Sequence, residues 1–238
     1  MLNIAIFGAS GAIGGEFVKQ LAATNIVETI NCFSRSKTAL SNPKVANHQI
    51  NFDDETEIAK AAEIAAKTKK LDIVIVATGA LHTAEFSPEK SIRELDNKKF
   101  HEIYNINTVI PALIGKYVLP KLNKTEKSAF AVLSARVGSI SDNHLGGWYA
   151  YRASKAALNM IIKNFAIEIN RTNKKAVILG LHPGTVASSL SEPFQAHVKE
   201  GHLFSPEYAV QQLLQVIYNA DSSYSGKLYA YDNTEIPF

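Results

Sequence analysis

Two runs of residues restrict the fold more than anything else in this chain. Ile4-Ala5-Ile6-Phe7 and Ile73-Val74-Ile75-Val76-Ala77 are apolar at every position. A strand with one face in water alternates apolar and polar residues, whereas a strand covered on both faces does not. Each run is short and gives way to glycine, at Gly8 and Gly79. These runs predict parallel strands in the middle of a sheet, with helices packed above and below.

The remaining segments fit that arrangement. Further strands are expected near Glu28 to Phe33, Val45 to Asn51, Ser128 to Leu133, Ala176 to Leu181 and Leu228 to Tyr231. Helical patterns fall at about Gly14 to Ala23, Glu55 to Lys67, Asn97 to Val118, Tyr149 to Asn170 and Pro206 to Asn219. Pro120 stops the third of these and Pro206 opens the last. Strand–helix alternation predicts an α/β fold with a doubly wound parallel sheet, because right-handed crossovers place helices on both faces. With no internal repeat or linker, residues 1–238 are expected to form one domain.

Composition removes several classes of function. The 25 basic residues barely exceed the 22 acidic ones, so a net charge of +3 gives no footprint for nucleic acid. A single cysteine, Cys32, excludes an internal disulfide framework and a cysteine-based zinc site. The seven histidines show no metal-ligand spacing, and no metal is expected. No apolar stretch approaches the roughly 20 residues that cross a bilayer. A soluble, cytoplasmic protein is expected, with a reducing compartment suited to the lone thiol.

The loop after the first strand reads Gly8-Ala9-Ser10-Gly11-Ala12-Ile13-Gly14. Glycines there allow a tight turn and a close approach of backbone to a pyrophosphate, and the following helix N-terminus offers free N–H groups. The position, between first strand and first helix, points to a dinucleotide. After the second strand comes Ser34-Arg35-Ser36 rather than an acid. Arginine pairs with a ribose 2′-phosphate, and the flanking hydroxyls can hydrogen-bond to it, which favours NADP(H) over NAD(H).

A second signal lies in the other half of the chain. In Tyr151-Arg152-Ala153-Ser154-Lys155 the phenol and the amine are four residues apart and share a helix face. A neighbouring ammonium is expected to lower the phenol pKa towards working pH, making Tyr151 a general acid or base towards a carbonyl or alcohol. Tyr149 is the competing phenol, but it lacks the four-residue spacing to the lysine.

With both signals in order, the chain resembles the short-chain dehydrogenases/reductases, and within them the C-factor-like and Sniffer-type carbonyl reductases. The closer likeness rests on Leu133-Ser134-Ala135-Arg136-Val137-Gly138-Ser139-Ile140, on Gly146 to Met160, and on His182-Pro183-Gly184-Thr185-Val186. The resemblance implies a Rossmann-type sheet of seven strands in the order 3-2-1-4-5-6-7, and reversible hydride transfer between a nicotinamide and a carbonyl or alcohol. It makes Tyr151 the acid/base, with Lys155 holding the nicotinamide ribose. Asn107 matches the asparagine that supports a water beside the lysine. Pro183, Gly184 and Val186 match the segment around the nicotinamide. Ala77, Thr78 and Gly79 follow the fourth strand next to the adenosine, and Asn51 with Phe52 follows the third, near the adenine.

The chain departs from that family pattern in four places. The middle glycine of the first loop sits one place early, as in the extended branch of the superfamily. The usual Asn-Asn-Ala-Gly is Val76-Ala77-Thr78-Gly79, and the adenine-contacting aspartate is Asn51. The family's catalytic serine falls on Ala135, leaving Ser134 as the preferred substitute and Ser139 as the other candidate. The expected activity is NADPH-dependent reduction of an aldehyde, ketone or quinone. The alternative is an NADP-binding signalling protein of C-factor type with little turnover. Helices carrying more than one apolar stripe suggest a homodimer or homotetramer. Ser188 to Ser205 is read as a mobile flap over the substrate, with an ordinary surface loop as the alternative, and His182 first as a hydrogen-bonded strand-end residue, second as a wall of the site.

Overall fold

A computed structural model of the chain describes residues 1–36, 41–83 and 85–238. The first half runs β1 (Leu2–Phe7), α1 (Ala12–Ala22), β2 (Val27–Ser34), β3 (Val45–Gln49), α2 (Glu55–Ala65) and β4 (Ile73–Val76). The second half runs α3 (Asn97–Tyr104), α4 (Ile110–Val118), β5 (Ser128–Leu133), α5 (Tyr149–Ile169), β6 (Ala176–His182), β7 (Thr185–Val186), β8 (Leu203–Phe204), α6 (Pro206–Asn219), β9 (Lys227–Ala230) and β10 (Glu235–Ile236).

The main sheet has the order β10-β9-β6-β5-β4-β1-β2-β3. From β3 to β9 every pairing is parallel, so the expected order of seven strands holds. An eighth strand was not anticipated. β10 pairs antiparallel with β9 through Glu235↔Tyr229 and Ile236↔Leu228, and its two residues are too short for a periodic signal. β7 and β8 form a separate parallel pair, Thr185↔Leu203 and Val186↔Phe204.

The uniform hydrophobicity of β1 has a direct cause. Ile4 and Ile6 pack with Phe17, Val18 and Leu21 of α1 and Leu213 and Ile217 of α6. Ala5 and Phe7, pointing the other way, pack with Ile58 of α2, Ile114 of α4 and Leu158 and Ile162 of α5. Burying a side chain of this size contributes roughly 1.5–3 kcal/mol, so two covered faces stabilise the strand twice over.

The long helix expected from Asn97 to Val118 is not continuous. Between α3 and α4 lies a π-helical turn, Asn105–Val109. Pro111, in the first turn of α4, has no N–H to donate and would clash inside a regular helix. The wider turn absorbs that defect, and such bulges turn side chains towards functional sites. Here the turn carries Asn107, which is fully buried.

Candidate active site

The strands end together along one edge of the sheet, and a cavity of about 420 Å³ lies beyond their C-terminal ends. Its floor and one wall come from the glycine loop and α1, from the ends of β4, β5 and β6, and from α5. The opposite wall comes from Thr185 to Val186 and from Ser188 to Ser191 with Phe194. Most of the residues expected at a site line it: Gly11, Ala12, Ile13, Gly14, Arg35, Ala77, Thr78, Gly79, Ser134, Tyr151, Lys155, Pro183, Gly184 and Val186. Tyr149 does not line it, which separates the two phenols.

The glycine loop owes its shape to two positions. Gly8 adopts φ +86°, and a Cβ there would fall 2.8 Å from the Ala77 carbonyl carbon. A Cβ on Gly14 would fall 2.1 Å from the Gly8 oxygen, so α1 can approach β1 only without one. Gly11 differs: its φ is −75°, and a Cβ would meet only the Gly8 oxygen, at 3.5 Å. Gly11 is the N-cap of α1 and supplies no side-chain cap, and no acid lies in the first turn. The first helical bond runs from Gly15 N–H to the Gly11 oxygen, 2.7 Å, so the N–H groups of Ala12, Ile13 and Gly14 precede the ladder. Gly8 and Ser10 shape the loop without lining the cavity.

Other residues expected at the nucleotide lie farther off. Arg35 is exposed and borders both the main cavity and a second pocket with Gln49, Ile50, Asn51 and Glu57. Ser34 is buried and its hydroxyl donates to the Ser36 carbonyl, 2.5 Å, so it braces the turn that presents Arg35. Ser36 is exposed outside the cavity. The Asn51 side-chain oxygen accepts from Asp53 N–H, 3.1 Å. The Phe52 ring belongs to the core, so only its backbone remains for a ligand.

At the chemical end of the cavity, α5 presents Tyr151 and Lys155 from successive turns. The Lys155 Nζ lies 5.9 Å from the Tyr151 ring centre and donates to the Leu133 carbonyl, 2.9 Å. Burial pushes the Tyr151 phenol up to about 12 and pulls the Lys155 amine down to about 7. This reverses the direction expected from spacing alone. The amine that was to stabilise a phenolate is itself desolvated, and burial penalises both charged forms. Asn107 stands behind the pair. Its Oδ1 accepts from Ala80 N–H, 2.9 Å, and its Nδ2 donates to the Ala80 oxygen, 2.8 Å, and to Ser154 Oγ, 3.1 Å. A Cβ on Gly79 would lie 3.5 Å from that Oδ1 and 3.6 Å from Lys155 Nζ, so Gly79 joins the two groups.

Neither candidate serine presents a free hydroxyl. Ser134 reaches the cavity wall, but its Oγ donates to Asn159 Oδ1 on α5, 2.7 Å. Ser139 is buried away from the cavity, where its Oγ accepts from Asp142 N–H, 3.1 Å. Ala135 occupies the cavity wall with no polar group.

Of the segment Ser188 to Ser205, the first part lines the cavity, through Ser188, Ser189, Leu190, Ser191 and Phe194, and forms a lobe beside it. A 3-10 helix, Glu192–His197, places Phe194 against Trp148 at 5.1 Å and His82 at 6.0 Å between ring centres. Ser191 Oγ donates to the Val186 carbonyl, 2.5 Å, and accepts from Gln195 Nε2, 2.9 Å, while the β7–β8 pair closes the base of the lobe. Leu81, Arg136, Val137, Thr185 and the serines of this lobe line the cavity without having been singled out as site residues. Only the hydroxyl-rich run after Gly184 hinted at the last of them.

A model of the family described as short chain dehydrogenase matches residues 3–199. The chain belongs to the short-chain dehydrogenase family. Within that family it is 33% identical over 180 residues to a 1-hydroxy-2-glutathionyl-2-methyl-3-butene dehydrogenase of Rhodococcus sp. (strain AD45), covering 76% of this chain and 74% of that protein. The fold superposes on the carbonyl reductase Sniffer of D. melanogaster with a TM-score of 0.86 at 21% identity, each chain covered in full. It also superposes on an NADPH-bound carbonyl reductase from chicken fatty liver, with a TM-score of 0.84 at 22% identity over 100% and 99% of the two chains.

Proposed function

We propose that this member of the short-chain dehydrogenase family is an NADPH-dependent reductase of aldehydes, ketones or quinones. The observation that carries the reading is the meeting of two unrelated features on one cavity. Unpaired N–H groups at the start of α1 face one end, and the Tyr151–Lys155 pair faces the other. The first feature suits a pyrophosphate and the second a carbonyl oxygen.

The residues present fit a nicotinamide dinucleotide. Gly8 and Gly14 leave a cradle that side chains would fill, and the start of α1 carries no acid to repel a phosphate. Arg35 is free at the rim to pair with a 2′-phosphate, which supports NADP(H) over NAD(H). The chicken carbonyl reductase of the same fold is described as NADPH-bound, which supports the same choice. Pro183, Gly184 and the backbone at Val186 would flank the nicotinamide end. When bound, the reduced cofactor supplies the hydride.

This chain's residues then supply position and a proton. A phenol with a pKa near 12 remains protonated at neutral pH, so Tyr151 is in the form that donates to a carbonyl oxygen. Its O–H bond breaks as the alcohol O–H forms. Lys155 near 7 can share its own proton with the phenolate that results, and Asn107 fixes the Ala80 backbone beside it. Phe194 and Trp148 exclude water from the apolar side.

A fluorescence titration with NADPH and NADH, followed by a panel of aldehydes, ketones and quinones, tests the reading. NADPH is expected to bind at least about tenfold more tightly, and Arg35→Ala to remove most of that preference. Equal binding of NADH overturns the cofactor assignment. Tight NADPH binding without consumption on any carbonyl overturns the enzyme and leaves a nucleotide-binding protein.

A further inference from the structure

The cavity has a phenol to protonate a carbonyl oxygen, but none of the three residues at or beside the expected serine position offers a free hydroxyl to hold that oxygen. Ala135 has none, Ser134 donates to Asn159, and Ser139 is turned away. A histidine stands on the neighbouring strand. Leu133 pairs with Leu181 across β5 and β6, and Ser134 N–H donates to the Leu181 oxygen, 2.8 Å. His182 is therefore the β6 residue beside Ser134, and it lines the same cavity as Tyr151.

The state of its ring is unusual. The expectation of a hydrogen-bonded strand-end histidine fails: Nδ1 is buried without a partner among the described residues. Nε2 makes no hydrogen bond among the described residues and is not buried in the same way. Burial, with Arg136 nearby, pulls the imidazole down to about 4, so the ring is neutral at working pH despite Asp232. A neutral ring carries one N–H. A buried N–H without an acceptor costs more than a buried lone pair without a donor, which puts the proton on Nε2, towards the cavity.

We propose that His182 is a catalytic residue that hydrogen-bonds the substrate's carbonyl oxygen through Nε2–H, in the place left without a hydroxyl at Ala135. The inference rests on the carbonyl-reductase reading above. His182 neither gains nor loses a proton. It stabilises the negative charge that develops on oxygen while Tyr151 delivers the proton and a reduced nicotinamide dinucleotide delivers the hydride. A neutral imidazole suits this role because it donates without placing a full positive charge beside the reduced cofactor.

A double-mutant cycle tests it, with wild type, His182→Ala, Ala135→Ser and the double variant compared on one carbonyl substrate. His182→Ala is expected to lower kcat by about 10²-fold, with NADPH affinity by fluorescence unchanged. Ala135→Ser is expected to restore most of that loss in the His182→Ala background and to add little to wild type. His182→Gln, which keeps an N–H donor, provides the comparison if the alanine variant folds poorly, and is expected to retain more turnover than His182→Leu. Turnover of His182→Ala close to wild type, or an equal gain from Ala135→Ser in both backgrounds, overturns the proposal. For the glutamine and leucine pair, equal loss does the same. Wild-type protein that reduces no carbonyl instead removes the underlying reading, so the two failures are distinct.

Discussion

Gly11 and Gly14 are three residues apart in one loop, yet the space around them differs. Gly14 faces backbone at 2.1 Å, whereas Gly11 has ordinary room and an ordinary φ. Gly11→Ala is therefore expected to leave thermal stability within about 1 kcal/mol of wild type and to weaken NADPH, because its methyl group enters the phosphate end. Gly14→Ala is expected to destabilise the fold itself, so melting curves separate the two variants before any ligand is added. Lys155 allows a second residue-scale prediction. Its amine titrates near 7 in the fold but near 10.5 in the unfolded chain. The unfolded state thus binds more protons between those values, and stability rises with pH across that window. The penalty, on the order of a few kcal/mol, is present in full below pH 7 and gone above about 10.5. Lys155→Met should lose this slope in urea titrations taken from pH 7 to 10. A slope unchanged by the substitution would show that the amine is not desolvated. Spacing made Tyr151 and Lys155 legible in the sequence. It did not reveal the directions of their pKa values, which depend on burial by β5 and the lobe around Phe194.

Helix α5 begins in a strained way. Gly146, Gly147 and Trp148 all have positive φ, and Trp148, at 50°, is a bulky residue in the left-handed region. Glu89 holds this entry in place. It is 1% exposed, its backbone oxygen accepts from Trp148 N–H, 2.5 Å, and its Oε2 accepts from Ala150 N–H, 3.3 Å. A carboxylate at a helix N-terminus also complements the helix dipole. Glu89→Ala is expected to cost about 1–3 kcal/mol in chemical denaturation and to lower kcat, with Glu89→Gln recovering much of both. A variant as stable and active as wild type would show that Trp148 needs no anchor. Nothing in the local pattern marked Glu89, because its partners lie about 60 residues away in sequence. The break between α3 and α4 is different in kind. Pro111 was visible, but a π turn leaves the apolar spacing nearly helical, so the two pieces read as one helix.

Across the whole molecule, the layered parallel sheet was readable because each central strand is apolar on both faces, whereas the strand order followed only from the family resemblance. β10 and the β7–β8 pair were not, since two-residue strands carry no period. Met160 and Ile167 on α5 and Val109 at the π turn remain 60%, 50% and 44% exposed, although the sheet is already covered. That excess supports the proposed homodimer or homotetramer, and Met160→Glu is expected to shift the mass by light scattering to monomer. A wild type that is already monomeric would contradict it. The central claim is that one half-buried phenol, opposite a phosphate-binding helix end, delivers the proton. The most direct test measures NADPH affinity and carbonyl turnover on the same preparation of Tyr151→Phe. The account predicts unchanged NADPH binding with turnover reduced by at least about 10²-fold. Turnover equal to wild type, with the cofactor bound, would contradict it.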